Sequence, residues 1–268
     1  MRILPCESSA SGLLRRSCRA AAFTLIELLT VIAIIGILAA IVIPTVGTVR
    51  EKAQRAVDAN NLREIVKATQ IYAGENGDRL PNPRTIPTTT LQNATQALLW
   101  PGILARNGIL TDPTFWFSKS DPFFAGVYPV SIINTNDNTK RTLDPSFAGK
   151  SFAWEFASGL TMSDRAAMPI IWTRGLQTNG SWNLNSGVYR DIGGYIGFLG
   201  GNVAFYSTTG VNATAGIFQS NNPVGNRKTN NIQQAIPVAG FIYGIPPTGA
   251  GAGTILGRAA GTAATRGP

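Results

Sequence analysis

The sequence predicts an α+β protein with a long N-terminal α-helix, a small antiparallel β-sheet head domain and a disordered tail. Three observations lead to this class. An apolar run over residues 23–43 continues directly into a one-sided amphipathic pattern. Short aromatic and β-branched runs separated by Asn, Asp, Gly and Pro follow. The C-terminal stretch is rich in Gly, Ala and Thr and offers little apolar surface to bury.

The apolar run predicts a membrane-spanning helix. It reads FTLIELLTVIAIIGILAAIVI, and only Thr24, Glu27 and Thr30 interrupt its apolar character. Twenty-one residues in helical conformation extend roughly 31 Å, enough to cross the hydrocarbon core of a bilayer. A helix of this length in a globular core would show a polar face, which this one lacks.

Residues 23–80 are predicted to form the N-terminal helical segment, whose helix continues past Pro44 as an amphipathic stretch. Its apolar positions recur at spacings of three to five: Val46, Val49, Ala53, Val57, Leu62, Ile65, Thr69 and Tyr72. Charged residues between them, Asp58, Glu64 and Lys67 included, are predicted to form a solvated face with Glu/Lys pairing. The helix is expected to end at Gly74 or Gly77, ahead of Pro81.

Three residues distinguish the apolar run from a routine anchor. An unpaired carboxylate at Glu27 is costly in lipid. Gly36 weakens the helix midway along the run, since glycine has low helix propensity. Pro44 lacks an amide donor and is predicted to kink the helix where it leaves the apolar zone.

A secretory signal peptide and a plain signal anchor are the other interpretations of this segment. A signal peptide would have a shorter apolar core without a carboxylate, followed by a break. A signal anchor stays open. Charge does not settle the orientation, because Arg50, Lys52, Arg55 and Arg63 rival Arg15, Arg16 and Arg19 of residues 1–22.

Residues 81–206 are predicted to form the β-rich head. One or two short helices are expected over 91–110, broken at Pro101 and Gly108. Strand candidates are 115–117, 127–133, 151–157 and 168–173. In GGYIGFLGGNVAFY, residues 193–206, two apolar runs flank a Gly-Gly turn, which predicts a β-hairpin.

Residues 207–268 form an Asn-, Thr- and Gly-rich extension. Its last part, residues 244–268, is of low complexity and is predicted to be disordered. GAGAG at 249–253 resembles a phosphate-binding loop in composition alone, because no Lys-Ser/Thr follows it.

Composition excludes several kinds of chemistry. The chain has no histidine, which removes histidine triads and histidine zinc sites. Cys6 and Cys18 both precede the apolar run, so removal of residues 1–22 would leave no thiol. The net charge of +9 leaves an anionic partner open, but no Lys/Arg run with interleaved aromatics predicts a nucleic-acid groove.

No cofactor, metal or enzymatic activity is predicted. The acids beyond residue 110 give no spacing that selects a carboxylate pair. NTNDNTK at 134–140 is rich in oxygen ligands, but it lacks the regular acidic spacing and terminal Glu of a calcium loop. We interpret it as a turn.

The stretch AAFTLIELLTVIAIIGILAAIVIP resembles the prepilin N-terminal cleavage and methylation motif of type IV pilins and type II secretion pseudopilins. The resemblance implies cleavage by a prepilin peptidase between Ala22 and Phe23, and N-methylation of Phe23. It implies that Glu27 neutralises the N-terminal amine of a neighbouring subunit. Gly36 and Pro44 match helix-weakening positions of that family.

One residue departs from the family pattern. The family has Gly before the cleavage point where this chain has Ala22, so slower processing is expected. Residues 172–206 also resemble the C-terminal part of large-headed pseudopilin-like proteins. Gly200 and Asn202 stand where that hairpin often carries Asp and His, so no ligand role is expected there.

The resemblance implies a structural filament subunit of a type II secretion pseudopilus or a type IV pilus. Residues 1–22 would be a cytoplasmic leader, 23–43 a single inner-membrane span, and the head would lie outside the cytoplasm. Partners would be copies of itself, sibling pilins and the prepilin peptidase. The alternative is a solitary membrane-anchored protein whose head binds carbohydrate, DNA or protein, with Trp172 and Trp182 as candidate contacts. Aromatic residues of this kind are more often packed in a core.

Overall fold

A computed structural model describes residues 24–82, 96–212, 215–220, 228–237 and 241–243. The predicted leader, Ala22, Phe23 and the predicted disordered tail all lie outside the described residues. The chain divides into two compact units after Val49.

One helix, α1, occupies Leu25–Glu75 and confirms the predicted long N-terminal helix. It runs through Pro44 without ending there. Its end falls at Glu75, between the two predicted glycines. There Gly77 adopts a left-handed φ of 65°, and the Asp78 N–H donates to the Ala73 carbonyl at 2.8 Å. This is the hydrogen bond of a Schellman-type helix end.

The second half of α1 packs one face into the core of the head. Leu62, Ile65 and Thr69 are buried, as the periodicity predicts. The prediction is wrong at Val57, which is exposed, and at Asp58, which is fully buried although placed on the solvated face. The buried face of α1 therefore differs from the predicted one and includes residues 58, 62, 65, 66, 69 and 73.

The next helix, α2, occupies Gln96–Arg106 and contains Pro101, so the predicted break at that proline is wrong. Trp100 stacks on Phe156 at 5.1 Å between ring centroids, and Leu104 is fully buried. The helix persists because this burial offsets the lost hydrogen bond, which costs about 3 kcal/mol. Gly108, with φ of 73°, follows its end.

The head is built on a five-stranded antiparallel sheet, as predicted, in the order β4-β3-β2-β1-β7. Its strands are β1 (Trp154–Ser158), β2 (Pro169–Thr173), β3 (Gly194–Phe198), β4 (Val203–Tyr206) and β7 (Phe241–Tyr243). A two-stranded sheet pairs β5 (Phe218–Gln219) with β6 (Lys228–Thr229). The short helices are a 3-10 turn (Pro113–Trp116), α3 (Pro145–Ala148) and α4 (Ile232–Ala235).

The predicted hairpin is confirmed as β3–β4. Gly194 pairs with Tyr206, and Gly197 pairs with Val203. Gly197 also marks where α1 crosses the sheet, because a Cβ there would lie 2.8 Å from the Val66 side chain. Only glycine therefore allows this close approach of helix and strand.

Two strand candidates are wrong. Residues 115–117 fall at a 3-10 turn, because the Asp112 side chain accepts from the Thr114 N–H at 2.8 Å with Pro113 as the first turn residue. Residues 127–133 form no strand. Pro129 lies in their middle and has no N–H to donate to a strand partner.

Candidate assembly segment and head anchorage

The first turn of α1 is closed by a reciprocal cap between Thr24 and Glu27. The Thr24 N–H and hydroxyl donate to the Glu27 carboxylate at 2.9 and 2.8 Å. The Glu27 N–H lies 3.2 Å from the Thr24 hydroxyl oxygen and donates to it. This is a capping box, encoded by the Thr-x-x-Glu spacing, and it satisfies N–H groups that a helix start leaves unpaired.

The apolar side chains of α1 from Leu25 to Val49 are exposed. Every residue in this range is exposed apart from Ala39, which is half-buried. Leu25 is 78% exposed and Ile43 is 73% exposed. By length and composition, α1 is a helix that could span a membrane, the one such helix within the described residues.

Gly36 and Pro44 make no packing contact that explains them. A Cβ at Gly36 would meet nothing within 4 Å. Pro44 cannot donate to the Ala40 carbonyl, and next to it the Thr45 hydroxyl donates to the Val42 carbonyl at 2.9 Å. Neither residue serves the packing of the described monomer.

The predicted site residues are spread along α1 and are not brought together. Gly36 lies nine positions after Glu27, and Pro44 lies eight positions after Gly36, which corresponds to about 14 and 12 Å of helix. Ala22 and Phe23 lie outside the described residues. The arrangement is thus a series of positions along one helix and not a pocket.

A buried carboxylate anchors α1 in the head, and the sequence patterns did not reveal it. Asp58 accepts hydrogen bonds from the Ser118 hydroxyl at 2.6 Å, the Tyr189 hydroxyl at 2.6 Å and the Gln54 amide at 3.1 Å. Burial raises the pKa of Asp58, the three hydrogen bonds oppose that rise, and the nearby Asp121 adds to it.

A buried ion pair joins three further segments of the head. The Arg174 guanidinium contacts the Asp121 carboxylate at 2.6 Å, with both side chains almost fully buried. The same guanidinium donates to the Phe152 carbonyl and, at 2.9 Å, to the Ser186 carbonyl. Charge and hydrogen-bonding capacity are both satisfied, which is the condition for such a pair to be tolerated in a core.

A third buried acid, Glu155, is the second residue of β1. Its carboxylate accepts from the Trp172 indole N–H at 2.7 Å. Burial raises the pKa of Glu155 to about 7. The hydrogen bond from Trp172 and the positive charge of Arg174 favour the ionised carboxylate and so limit this rise in pKa.

The aromatic residues considered for surface recognition are in the core. Trp172 is fully buried and Trp182 is 4% exposed. A ligand at the head surface cannot stack on either ring, so the structure removes the residues that supported the anchored-receptor interpretation.

Residues 134–140 form the turn that the sequence predicts. The Asp137 carboxylate accepts from the N–H groups of Thr139 and Arg141 and from the hydroxyls of Thr139 and Thr142. These hydrogen bonds, the Thr139 and Thr142 hydroxyls first, hold the pKa of Asp137 well below its usual range. Within the described part of the chain, no three His, Cys, Asp or Glu residues are grouped to hold a metal.

The match to a known family model lies in the N-terminal segment. The family model described as the prokaryotic N-terminal methylation motif matches residues 18–43. This match includes Ala22, Phe23, Glu27 and Gly36 and ends one residue before Pro44.

Similarity to one curated protein extends further. Over 71 residues the chain is 39% identical to the type IV wide pilus major component PilA4 of Thermus thermophilus. The alignment covers 26% of this chain and 54% of that relative, so the chain spans about half the length of the curated relative it matches. No solved structure matches the chain at a significant level.

Proposed function

The chain is type IV pilin-like in its N-terminal segment, and on that premise we propose that it is a structural subunit of a pilus or pseudopilus filament. The observation that carries the proposal is the first half of α1, a capped helix whose apolar side chains are exposed from Leu25 to Val49. Such a surface needs lipid or the same helix of other copies to cover it.

Filament assembly would bury this surface. In the membrane the side chains face lipid, and in a filament they face the equivalent helices of neighbouring subunits. Packing between different patches of successive copies is heterologous and yields an open fibre. The head then decorates the outside of the fibre.

Glu27 is proposed to set the stagger between subunits. Its carboxylate takes two hydrogen bonds from Thr24 of the same chain, which holds it at the helix start with acceptor capacity left. Cleavage between Ala22 and Phe23 would create a cationic amine, and N-methylation of Phe23 would leave its charge in place. A neighbour's amine near Glu27 offsets the cost of a carboxylate in an apolar setting.

Gly36 and Pro44 are proposed to let the helix adapt during assembly. Glycine lowers helix stability by up to about 1 kcal/mol, and proline removes one main-chain hydrogen bond. Since a Cβ at Gly36 would meet nothing within 4 Å and Pro44 is exposed, a role in the filament explains their positions better than a role in folding.

The similarity to a wide pilus component supports a type IV pilus among the candidate systems, and a type II secretion pseudopilus stays as the second candidate. In both, the partners would be sibling pilins, the prepilin peptidase and an inner membrane crossed once, with the head exterior. No catalytic role or cofactor is proposed. The burial of Trp172 and Trp182 weighs against a solitary receptor.

The first test is the N-terminus of the native protein, measured by intact-mass and terminal-peptide mass spectrometry of membranes. We expect a chain starting at N-methylated Phe23. A chain that retains Met1 would contradict processing as a pilin and would revive the anchored receptor.

The second test is substitution of Glu27. Glu27→Gln keeps the size and the Thr24 contacts but removes the charge, so filament incorporation should fall by at least tenfold while membrane insertion persists. Glu51→Gln, an exposed acid on the same helix, is the matched control and should assemble normally. Equal assembly of both variants would exclude the role proposed for Glu27.

A further inference from the structure

Basic residues follow the apolar segment on α1. Arg50 and Lys52 are exposed and Arg55 is half-buried. Arg50, Lys52 and Arg55 form no ion pair with a carboxylate among the described residues, where pairs such as Lys67–Glu64 and Arg174–Asp121 are present. The exposed acid among them is Glu51, which leaves the segment 50–55 with a net charge of +2.

The guanidinium of Arg55 is held in place by aromatic rings. It lies 5.6 Å from the centroid of the Tyr189 ring and 5.4 Å from that of Phe205. Cation–π contacts of this kind fix the position of a guanidinium without neutralising it. The neighbouring acid, Asp58, is buried and takes hydrogen bonds from Ser118, Tyr189 and Gln54 instead.

Chain length keeps these cations near the membrane. Arg50, Lys52 and Arg55 follow Ile43, the last residue of the apolar run, by seven, nine and twelve residues. Along a helix these separations correspond to about 10, 14 and 18 Å, so Arg50 and Lys52 lie nearer to the membrane surface than Arg55. Attraction to an anionic membrane surface acts over a Debye length of about 8–10 Å.

The proposed topology places these cations on the exterior side of the membrane, where basic residues next to a span are disfavoured. Basic residues next to a membrane span favour the cytoplasmic side, yet the proposed topology puts Arg50, Lys52 and Arg55 outside. The segment thus lies on the opposite side from the one that its charge favours. It carries no intrachain ion pair among the described residues, and the guanidinium of Arg55 is held in position. These properties suit it to bind an anionic ligand.

We propose that Arg50, Lys52 and Arg55 bind the headgroups of anionic phospholipids in the outer leaflet of the membrane that the N-terminal helix spans. The proposal rests on the proposed function, which supplies the span and the exterior position of the segment. Headgroup binding would hold the subunit at a fixed depth in the membrane until it enters a filament.

The test uses the full chain reconstituted into phosphatidylcholine bilayers that contain phosphatidylglycerol. Spin-labelled phosphatidylglycerol or spin-labelled phosphatidylcholine is added, and electron spin resonance measures the fraction of each label immobilised by the protein. For the wild-type chain we expect the anionic label to be enriched roughly fivefold or more, since each basic residue near the surface contributes about 1 kcal/mol.

Arg50→Gln/Lys52→Gln removes two exposed cations without touching the head, and the enrichment should fall roughly fivefold or more. Arg55→Lys should retain it and Arg55→Gln should reduce it. Lys119→Gln/Arg141→Gln, which removes two exposed cations of the head, is the matched control and should leave the enrichment unchanged.

Equal enrichment in the wild-type and the Arg50/Lys52 variant would overturn the proposal. Loss of assembly in that variant with unchanged lipid enrichment would also overturn it, and would assign the cations to an acidic face of a second copy. Because the lipid measurement needs neither processing nor filaments, it separates this inference from the proposed function. A wild-type chain that shows lipid selectivity but never assembles would contradict only the latter.

Discussion

The Tyr189 hydroxyl donates a 2.6 Å hydrogen bond to the Asp58 carboxylate, across 131 residues of sequence. The Ser118 hydroxyl donates to the same oxygen at 2.6 Å, so one carboxylate on α1 joins two separate loops of the head. These contacts hold the second half of α1 in the core of the head, and they give the first prediction.

Asp58→Ala should destabilise the head by about 2–4 kcal/mol, because it leaves two buried hydroxyls without their acceptor. Asp58→Asn keeps an acceptor and should cost less. The measurement is pulse proteolysis of the full chain in detergent across a urea series. In a double-mutant cycle, Asp58→Ala and Tyr189→Phe should couple by at least about 1 kcal/mol, and strict additivity would contradict the assigned hydrogen bond.

Arg174→Leu should be among the most destabilising single substitutions in the head. It leaves Asp121 as an unpaired buried charge and two carbonyls without a donor, at a cost of about 3–5 kcal/mol. The same urea series measures it. Lys67→Ala, which breaks an exposed pair with Glu64, is the control and should cost under about 1 kcal/mol. Comparable losses in both variants would count against a special role for the buried pair.

Head stability should fall as pH rises from about 4.5 to about 7, because burial raises the pKa of Glu155 to about 7 from 4.5. The folded head keeps a proton in this window that the unfolded chain has released. The stabilisation that the protonated Glu155 carboxyl gives the folded head is therefore complete below pH 4.5 and is lost as pH rises through 7.

The loss between these limits is roughly 3 kcal/mol. Glu155→Gln still accepts the Trp172 N–H but cannot titrate, so its unfolding midpoint in urea should vary less across the same window. An unchanged pH profile in that variant would assign the dependence to another group, such as Asp58.

Thr24→Ala should weaken the start of α1 by about 1 kcal/mol, because the capping box loses its hydroxyl. Thr24→Ser retains the hydroxyl and should behave like the wild-type chain. Amide hydrogen exchange over residues 25–30 in detergent micelles measures the difference as about fivefold faster exchange in the alanine variant. Identical exchange in both variants would mean that the cap does not form in the membrane environment.

Much of the helix was predictable because its signals are local. Main-chain hydrogen bonds in a helix join residues four apart, so the run from Leu25 and the glycine end near Gly77 are visible in sequence. The same holds for the β3–β4 hairpin, whose strands are joined by a short loop. Sequence also located the segment that matches the methylation motif, since that motif is a contiguous stretch.

The anchorage of the head was decided by tertiary structure. Asp58 has the spacing of a solvated helix residue, and only Ser118 and Tyr189, brought from 60 and 131 residues away, make its burial possible. For Trp172 and Trp182 the sequence favoured a core position over a surface one, and the tertiary structure decided it. In both cases the deciding energy is the desolvation of a side chain by distant neighbours, which no local pattern contains.

By itself, then, the sequence determined that a long helix follows residue 22 and that the first half of this helix is apolar on all sides. Only the folded head decided which residues of the second half are buried and which acids are held in the core. The difference is physical, because helix formation depends on neighbours within one turn, whereas burial depends on contacts that close loops of more than a hundred residues.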